Sequence, residues 1–103
     1  MASIRVHSGT KQLVHEADDL VVAVIAGAYS QAVAARFPHL FVQFEGRKVN
    51  RYFTIPADAL VEFEHDSQVD MDEGNRLLEE ARPTIQKFGG IGFTPDGEIL
   101  PLP

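Results

Sequence analysis

The feature that most constrains this chain is a run of helical sequence that is apolar on two sides. Its spacing predicts a helix over residues 20–36, with Asp18 or Asp19 as the N-cap. Phe37-Pro38 ends it, because the residue before proline avoids the helical region. A helix that is apolar on two sides must be covered on two sides. We therefore predict that it lies between a sheet and a second helix; the alternative is that one side is a homodimer seam. The two apolar stripes are Val21, Val24, Ile25, Ala28 and Ala32, and Val22, Ala26, Tyr29, Val33 and Phe37.

A β-hairpin precedes this helix. Residues 3–8 and 11–16 alternate apolar and polar side chains, and Gly9-Thr10 between them suits a two-residue type II′ turn. Such a turn places His7 opposite Gln12 and His15 opposite Ile4, so the two histidines lie on different faces. We therefore expect no two-histidine metal site.

Further strands and a second helix follow the predicted central helix. Residues 40–45 and 49–55 read as antiparallel strands, and residues 58–64 as a third strand preceded by a turn. A capping box at Asp70 begins a helix that Gly89-Gly90 ends, with a kink or break expected near Arg82 because Pro83 follows. A short hairpin is predicted at the C-terminal end, over residues 91–100.

The length of 103 residues supports a single α+β domain, because two cores of about 50 residues would each be marginal. The predicted order is an N-terminal β-hairpin, a long helix, two or three antiparallel strands, an amphipathic helix and a short hairpin. Over residues 3–64 this order resembles the β-grasp arrangement of ubiquitin-like domains. Gly89-Gly90 is similar to the di-glycine of a ubiquitin-like modifier, which implies a precursor processed after Gly90. Helix capping is the other explanation of the pair.

Several function classes lack the residues that they need. The chain has no cysteine, which excludes disulfides, thiolate zinc sites and cysteine nucleophiles. No serine lies in a GxSxG turn, no HExxH spacing occurs, and the acidic segment fails as a calcium loop at the glycine and glutamate positions. We expect no catalytic residues, no cofactor and no metal. The first residues lack a signal-peptide pattern and the longest apolar run is short, so we expect a cytoplasmic protein without a membrane partner.

Negative charge is concentrated in one segment. The formal net charge is -6, and residues 58–80 contain nine acidic side chains and one basic one, Arg76. This distribution favours a protein partner with a basic surface. The basic group Arg47, Lys48 and Arg51 is too small to predict a nucleic-acid partner. The predicted partner-binding residues are Asp58, Glu62, Glu64, Asp66, Asp70, Asp72 and Glu73.

The sequence therefore predicts a small protein-binding module of the inhibitor, immunity, antitoxin or adaptor type, from a bacterium or phage. One alternative is a small-ligand-binding or catalytic domain with an unrecognised site; the other is the modifier precursor. Two apolar helices also exceed what one small sheet can cover. Self-association through Tyr29, Val33 and Phe37 is therefore predicted.

Overall fold

Two three-stranded sheets pack against one helix in the computed structural model, which describes residues 2–101. The elements are β1 (Ala2–Ser8), β2 (Lys11–Ala17), α1 (Asp19–Ala34), β3 (His39–Phe44), β4 (Arg51–Pro56), β5 (Leu60–Glu64), α2 (Met71–Phe88) and β6 (Gly90–Phe93). One sheet has the order β2-β1-β5 and is antiparallel; the other has the order β4-β3-β6, with β6 parallel to β3. The predicted α+β class is confirmed, and the elements follow the predicted order as far as α2. In place of the predicted C-terminal hairpin the structure has β6 and one antiparallel bridge from Phe93 to Ile99. The strand pairings do not confirm the β-grasp-like order.

The β1–β2 hairpin has the predicted turn and register. Gly9 has a φ of 62° while Thr10 keeps a negative φ, the combination typical of a type II′ turn. Ile4 pairs with His15 and His7 pairs with Gln12. Alternate residues of β1 therefore face the core, where Ile4 is fully buried.

Helix α1 contacts both sheets on one side and α2 on the other. The side of α1 that contacts α2 includes small residues. One of them, Gly27, faces the side chain of Leu78 on α2. A Cβ atom at Gly27 would lie 2.6 Å from Leu78 Cδ2. The predicted two-sided covering of α1 is thus confirmed, with two sheets in place of one. The buried residues of α1 are Val21, Val22, Val24, Ile25, Ala28 and Ala32.

Helix α2 begins and ends at the predicted caps. The side chain of Asp70 accepts hydrogen bonds from the backbone N–H groups of Asp72 and Glu73, and Gly89 ends the helix at a left-handed φ of 66°. The helix continues through Pro83, so the break considered at Arg82 is absent. Buried residues on both sides of the proline hold the helix against the core. No helix within the described residues is long and apolar enough to cross a membrane.

The C-terminal end of α1 carries the one non-glycine residue with positive φ among the described residues. Arg36 has a φ of 67° and its N–H donates to the Val33 carbonyl at 3.0 Å, while Phe37 N–H donates to the Ala32 carbonyl at 3.0 Å. These two bonds form a Schellman motif, whose left-handed position favours glycine. The Phe37 side chain then packs on Gly89, so the ends of the two helices meet.

The left-handed backbone at Arg36 yields a stability prediction. Arg36→Gly should raise the free energy of unfolding by about 1 kcal/mol, because a side chain in this conformation costs about that much. Urea unfolding followed by circular dichroism measures the change. The control is Ala35→Gly, at a φ of -83°, which should not stabilise. Equal effects of the two substitutions would contradict this explanation.

The contact between Gly27 and Leu78 yields a second stability prediction. Gly27→Leu should lower the free energy of unfolding by roughly 1–3 kcal/mol, because the added side chain must displace Leu78. Gly74→Ala is the matched control: a Cβ there lies 3.5 Å from the nearest side-chain atom, an ordinary contact, so helix propensity should stabilise it by up to about 1 kcal/mol. A neutral Gly27→Leu in urea unfolding would mean that α2 does not press on this position.

Candidate functional site

An apolar groove lies on the outer face of the sheet β4-β3-β6. Side chains alternate along a strand, so Val42 of β3 and Ile91 of β6 face the core while Phe41 faces outward. The outward positions of β6 are Gly90, opposite Phe41, and Gly92, opposite Gln43, and neither residue has a side chain to fill the space above the strand. The resulting groove has a volume of about 410 Å³.

Two segments form the walls of this groove. Phe88, at the end of α2, lines one side and remains 54% exposed. Leu100 lines the other, held by a hydrogen bond from its N–H to the Gly92 carbonyl at 2.9 Å. A Cβ atom at Gly92 would lie 2.7 Å from Leu100 Cδ1, so glycine is what lets the C-terminal segment approach β6 so closely. The groove thus depends on the pairing of β6 with both neighbours.

The apolar surface continues beyond the groove onto β4. The ring of Tyr52, itself 55% exposed, stacks on Phe41 with centroids 5.8 Å apart. Polar groups at the lining are the Gln43 amide, the Thr84 hydroxyl and the Glu45 carboxylate. Among these lining residues Glu45 alone is ionisable. The groove can therefore take an apolar group and pair a cation at one end, but it holds no base beside a nucleophile.

An arginine connects α2 to the C-terminal wall of the groove. Arg76 contacts Glu73 and Glu80 on its own helix and reaches Glu98 in the C-terminal turn, with Nη2 3.3 Å from Glu98 Oε2. The hydrogen bond from Arg76 lowers the pKa of the Glu73 carboxyl. Glu98 lies two residues before Leu100, so this contact links α2 to the segment that carries the groove wall.

The seven residues of the predicted acidic surface are spread over the turn before β5, β5 itself, the loop after it and the start of α2. Several have partners within the chain. Glu62 Oε1 lies 2.6 Å from His7 Nε2, Asp70 caps α2, and Asp66 Oδ1 accepts from the Gln68 N–H at 2.7 Å. Glu64 and Asp66 lie beside Asp19 of α1 in a shallow polar depression. Among the described residues, no three histidine or acidic side chains are arranged to hold a metal ion.

The three residues predicted for self-association differ in exposure: Val33 is exposed, whereas Tyr29 and Phe37 are partly buried. The Tyr29 hydroxyl donates to the carbonyls of Pro56 and Ala57, at 3.0 and 3.2 Å. Phe37 packs on Gly89, as described above, and Val33 is 42% exposed. Two of the three side chains are therefore partly used inside the monomer.

The residues of the groove were not identified from the sequence. In the sequence Phe88 is the last residue of the predicted second helix, and the two explanations of Gly89-Gly90 are helix capping and a modifier's di-glycine. The sequence pattern that could have identified them is the alternation Gly90-Ile91-Gly92-Phe93. It predicts a strand with apolar side chains on one face and only glycines on the other. That pattern identifies a groove only once β6 is known to lie beside Phe41.

The predicted separation of His7 and His15 on the hairpin is confirmed. The His15 ring stacks on Phe53 of β4, with centroids 3.7 Å apart and planes 8° from parallel. Arg51 of the same strand donates to the Glu16 carbonyl at 3.3 Å. Burial, followed by the positive charge of Arg51, lowers the pKa of His15 below its ordinary value of 6.5.

This environment yields a pH prediction. Because the pKa of His15 is lower in the folded chain, the unfolded chain binds the proton first as the pH falls through 6.5. The contribution of neutral His15 to the free energy of unfolding is present above that pH and is lost below it. The His15→Phe variant keeps an aromatic ring on Phe53 without the titration. Urea unfolding at several pH values should show that the free energy of unfolding falls more steeply below pH 6.5 in the natural chain than in the variant. Parallel pH profiles of the two chains would refute the lowered pKa of His15.

No family model matches the chain, and no curated protein or solved structure is significantly similar to it.

Proposed function

We propose that this protein is a small protein-binding module that holds the apolar side chains of a basic partner segment in the groove beside β6. The observation that carries the proposal is the uncovered apolar lining formed by Phe41, Phe88 and Leu100 over a floor of glycines. The inhibitor, immunity, antitoxin and adaptor types expected from the sequence all act by binding another protein. The cytoplasmic location expected from the sequence belongs to the same proposal.

The charges favour a partner with basic side chains. Glu45 lies at the groove, and the chain as a whole has a formal net charge of -6. The acidic surface from Asp58 to Glu73 adds a long-range field that raises the rate at which a basic partner arrives. In this proposal the groove supplies affinity through apolar burial, and the charges supply orientation and speed.

A small apolar ligand is the second candidate for the groove. Its volume of about 410 Å³ lies within the range of small-molecule sites, roughly 300–1,000 Å³. However, Phe88 is 54% exposed, so the groove is open along one wall and suits a segment that continues beyond it. The modifier precursor has weaker support, because Gly90 is buried and belongs to a strand paired with β3. Cleavage after Gly90 would cut that strand.

Peptide selection tests the proposal without a known partner. A phage-displayed library of random peptides is selected on the immobilised chain, and the enriched peptides are measured by fluorescence anisotropy. We expect sequences that combine large apolar residues with Lys or Arg. Phe88→Ser should weaken their binding by at least about tenfold, because a buried aromatic anchor contributes more than 1.4 kcal/mol.

The matched control is Leu60→Ser, which removes a comparably exposed apolar side chain, 67% exposed, from the outer face of the other sheet. It should leave binding unchanged. Association should also slow several-fold as salt brings the Debye length below about 8 Å. Enriched peptides that bind both variants equally, or that carry no apolar anchor, would exclude the groove as the binding site.

A further inference from the structure

Strand β2 forms an open edge of the first sheet. It is the terminal strand in the order β2-β1-β5, so its outer side takes part in no ladder within the described residues. Leu13 and Val14, adjacent near its centre, are 56% and 49% exposed. An exposed edge with apolar side chains is a template for pairing with another strand.

The register of the hairpin identifies which backbone groups face this edge. A two-residue turn is closed by a hydrogen-bonded pair, here Ser8 and Lys11, and hydrogen-bonded pairs alternate along an antiparallel ladder. The N–H and C=O groups of Gln12, Val14 and Glu16 therefore point away from β1. The hydrogen bond that the Glu16 carbonyl accepts from Arg51, on another sheet, agrees with this direction.

The middle of β2 lacks the usual features that prevent pairing at a sheet edge. β2 contains no proline, and its pairing with β1 runs one-to-one from Ala2↔Ala17 to Ser8↔Lys11, without a bulge. Its charged residues, Lys11 and Glu16, stand near its two ends. The middle of the strand is thus free to accept a partner strand.

We propose that β2 pairs with β2 of a second copy of this chain, antiparallel, about a twofold axis at Val14. Val14 then lies opposite Val14 of the other copy, and Gln12 lies opposite Glu16. All outward N–H and C=O groups of these three residues pair, giving about six backbone hydrogen bonds across the axis. The β2-β1-β5 sheets of the two copies then join into one sheet of six strands.

Self-pairing is argued from the strand's complementarity to itself. The Val14-centred register opposes no like charges and places the apolar Leu13 opposite His15 of the other copy. An axis at Glu16 would oppose two carboxylates, and an axis at Gln12 would leave the outward groups of Glu16 without partners. In the Val14-centred register the Glu16 carbonyl shares its two lone pairs between Arg51 and the new strand.

This surface is distinct from the groove, which lies on the other sheet, and from the α1 residues considered for self-association. The proposal therefore holds or fails independently of the proposed function. If both hold, each dimer presents two grooves, and a partner that fills both binds with avidity.

The test is the mass of the full chain in solution together with its amide exchange. Sedimentation equilibrium should give twice the monomer mass of 11.4 kDa at high concentration. Amide protons of Gln12, Val14 and Glu16 should gain protection as concentration rises. Those of Leu13 and His15 should be protected at every concentration, because they bond to β1.

Two variants and one control locate the interface. Val14→Pro removes an outward N–H that the β1 ladder does not use, so the dimer dissociation constant should rise at least about tenfold. Val14→Lys, at a half-exposed position, keeps the backbone and opposes two ammonium groups; it should also give monomers. Val14→Thr keeps the N–H and the β-branched shape and should remain dimeric.

A monomeric natural chain at high concentration would overturn the proposal. A dimer insensitive to both Val14→Pro and Val14→Lys would also overturn it, and if Val33→Glu dissociated that dimer, the interface would lie on α1. Circular dichroism of each variant distinguishes dissociation from unfolding, and Val14→Lys decides the result if Val14→Pro does not fold.

Discussion

The packing of α1 against both sheets is the contact on which the rest of the structure depends. Helix α1 contacts strands of both sheets, and its buried valines and Ile25 form the face on which each sheet packs. The opposite side of the helix is made of small residues, which lets α2 approach as far as the contact between Gly27 and Leu78. At the C-terminal end of α1, Phe37 packs on Gly89, which is the end of α2 from which β6 begins.

Local patterns in the sequence predicted the elements because each pattern acts within a few residues. Gly9-Thr10 determined the turn and therefore the register of the hairpin, and Asp70 and Gly89 marked the ends of α2. The division of the strands into two sheets was not predictable in this way. The parallel pairing of β6 with β3 joins segments far apart in the chain, and no local pattern encodes it. Phe88 illustrates the result: it continues the apolar stripe of α2 but lies mostly outside the core.

The acidic segment shows a different limit of sequence reasoning. Its charge count was correct, but the count does not distinguish a carboxylate that caps a helix from one that is free to meet a partner. Asp70 is a cap, Glu73 is bonded to Arg76, and Glu62 lies beside His7. Such local partners reduce the capacity of each carboxylate to bind a partner protein directly. The long-range electrostatic field depends on the net charge and is largely retained.

The late position of β6 in the chain has a consequence for how the groove is assembled. β6 has four residues, and it must find β3 across a loop that contains β4, β5 and α2. Closing so large a loop is entropically costly, so contacts of this kind form after the local ones. The hairpin and helices can thus exist before the groove does. Both walls of the groove depend on the same short strand. The surface that would receive a partner is therefore formed only at the last stage of folding.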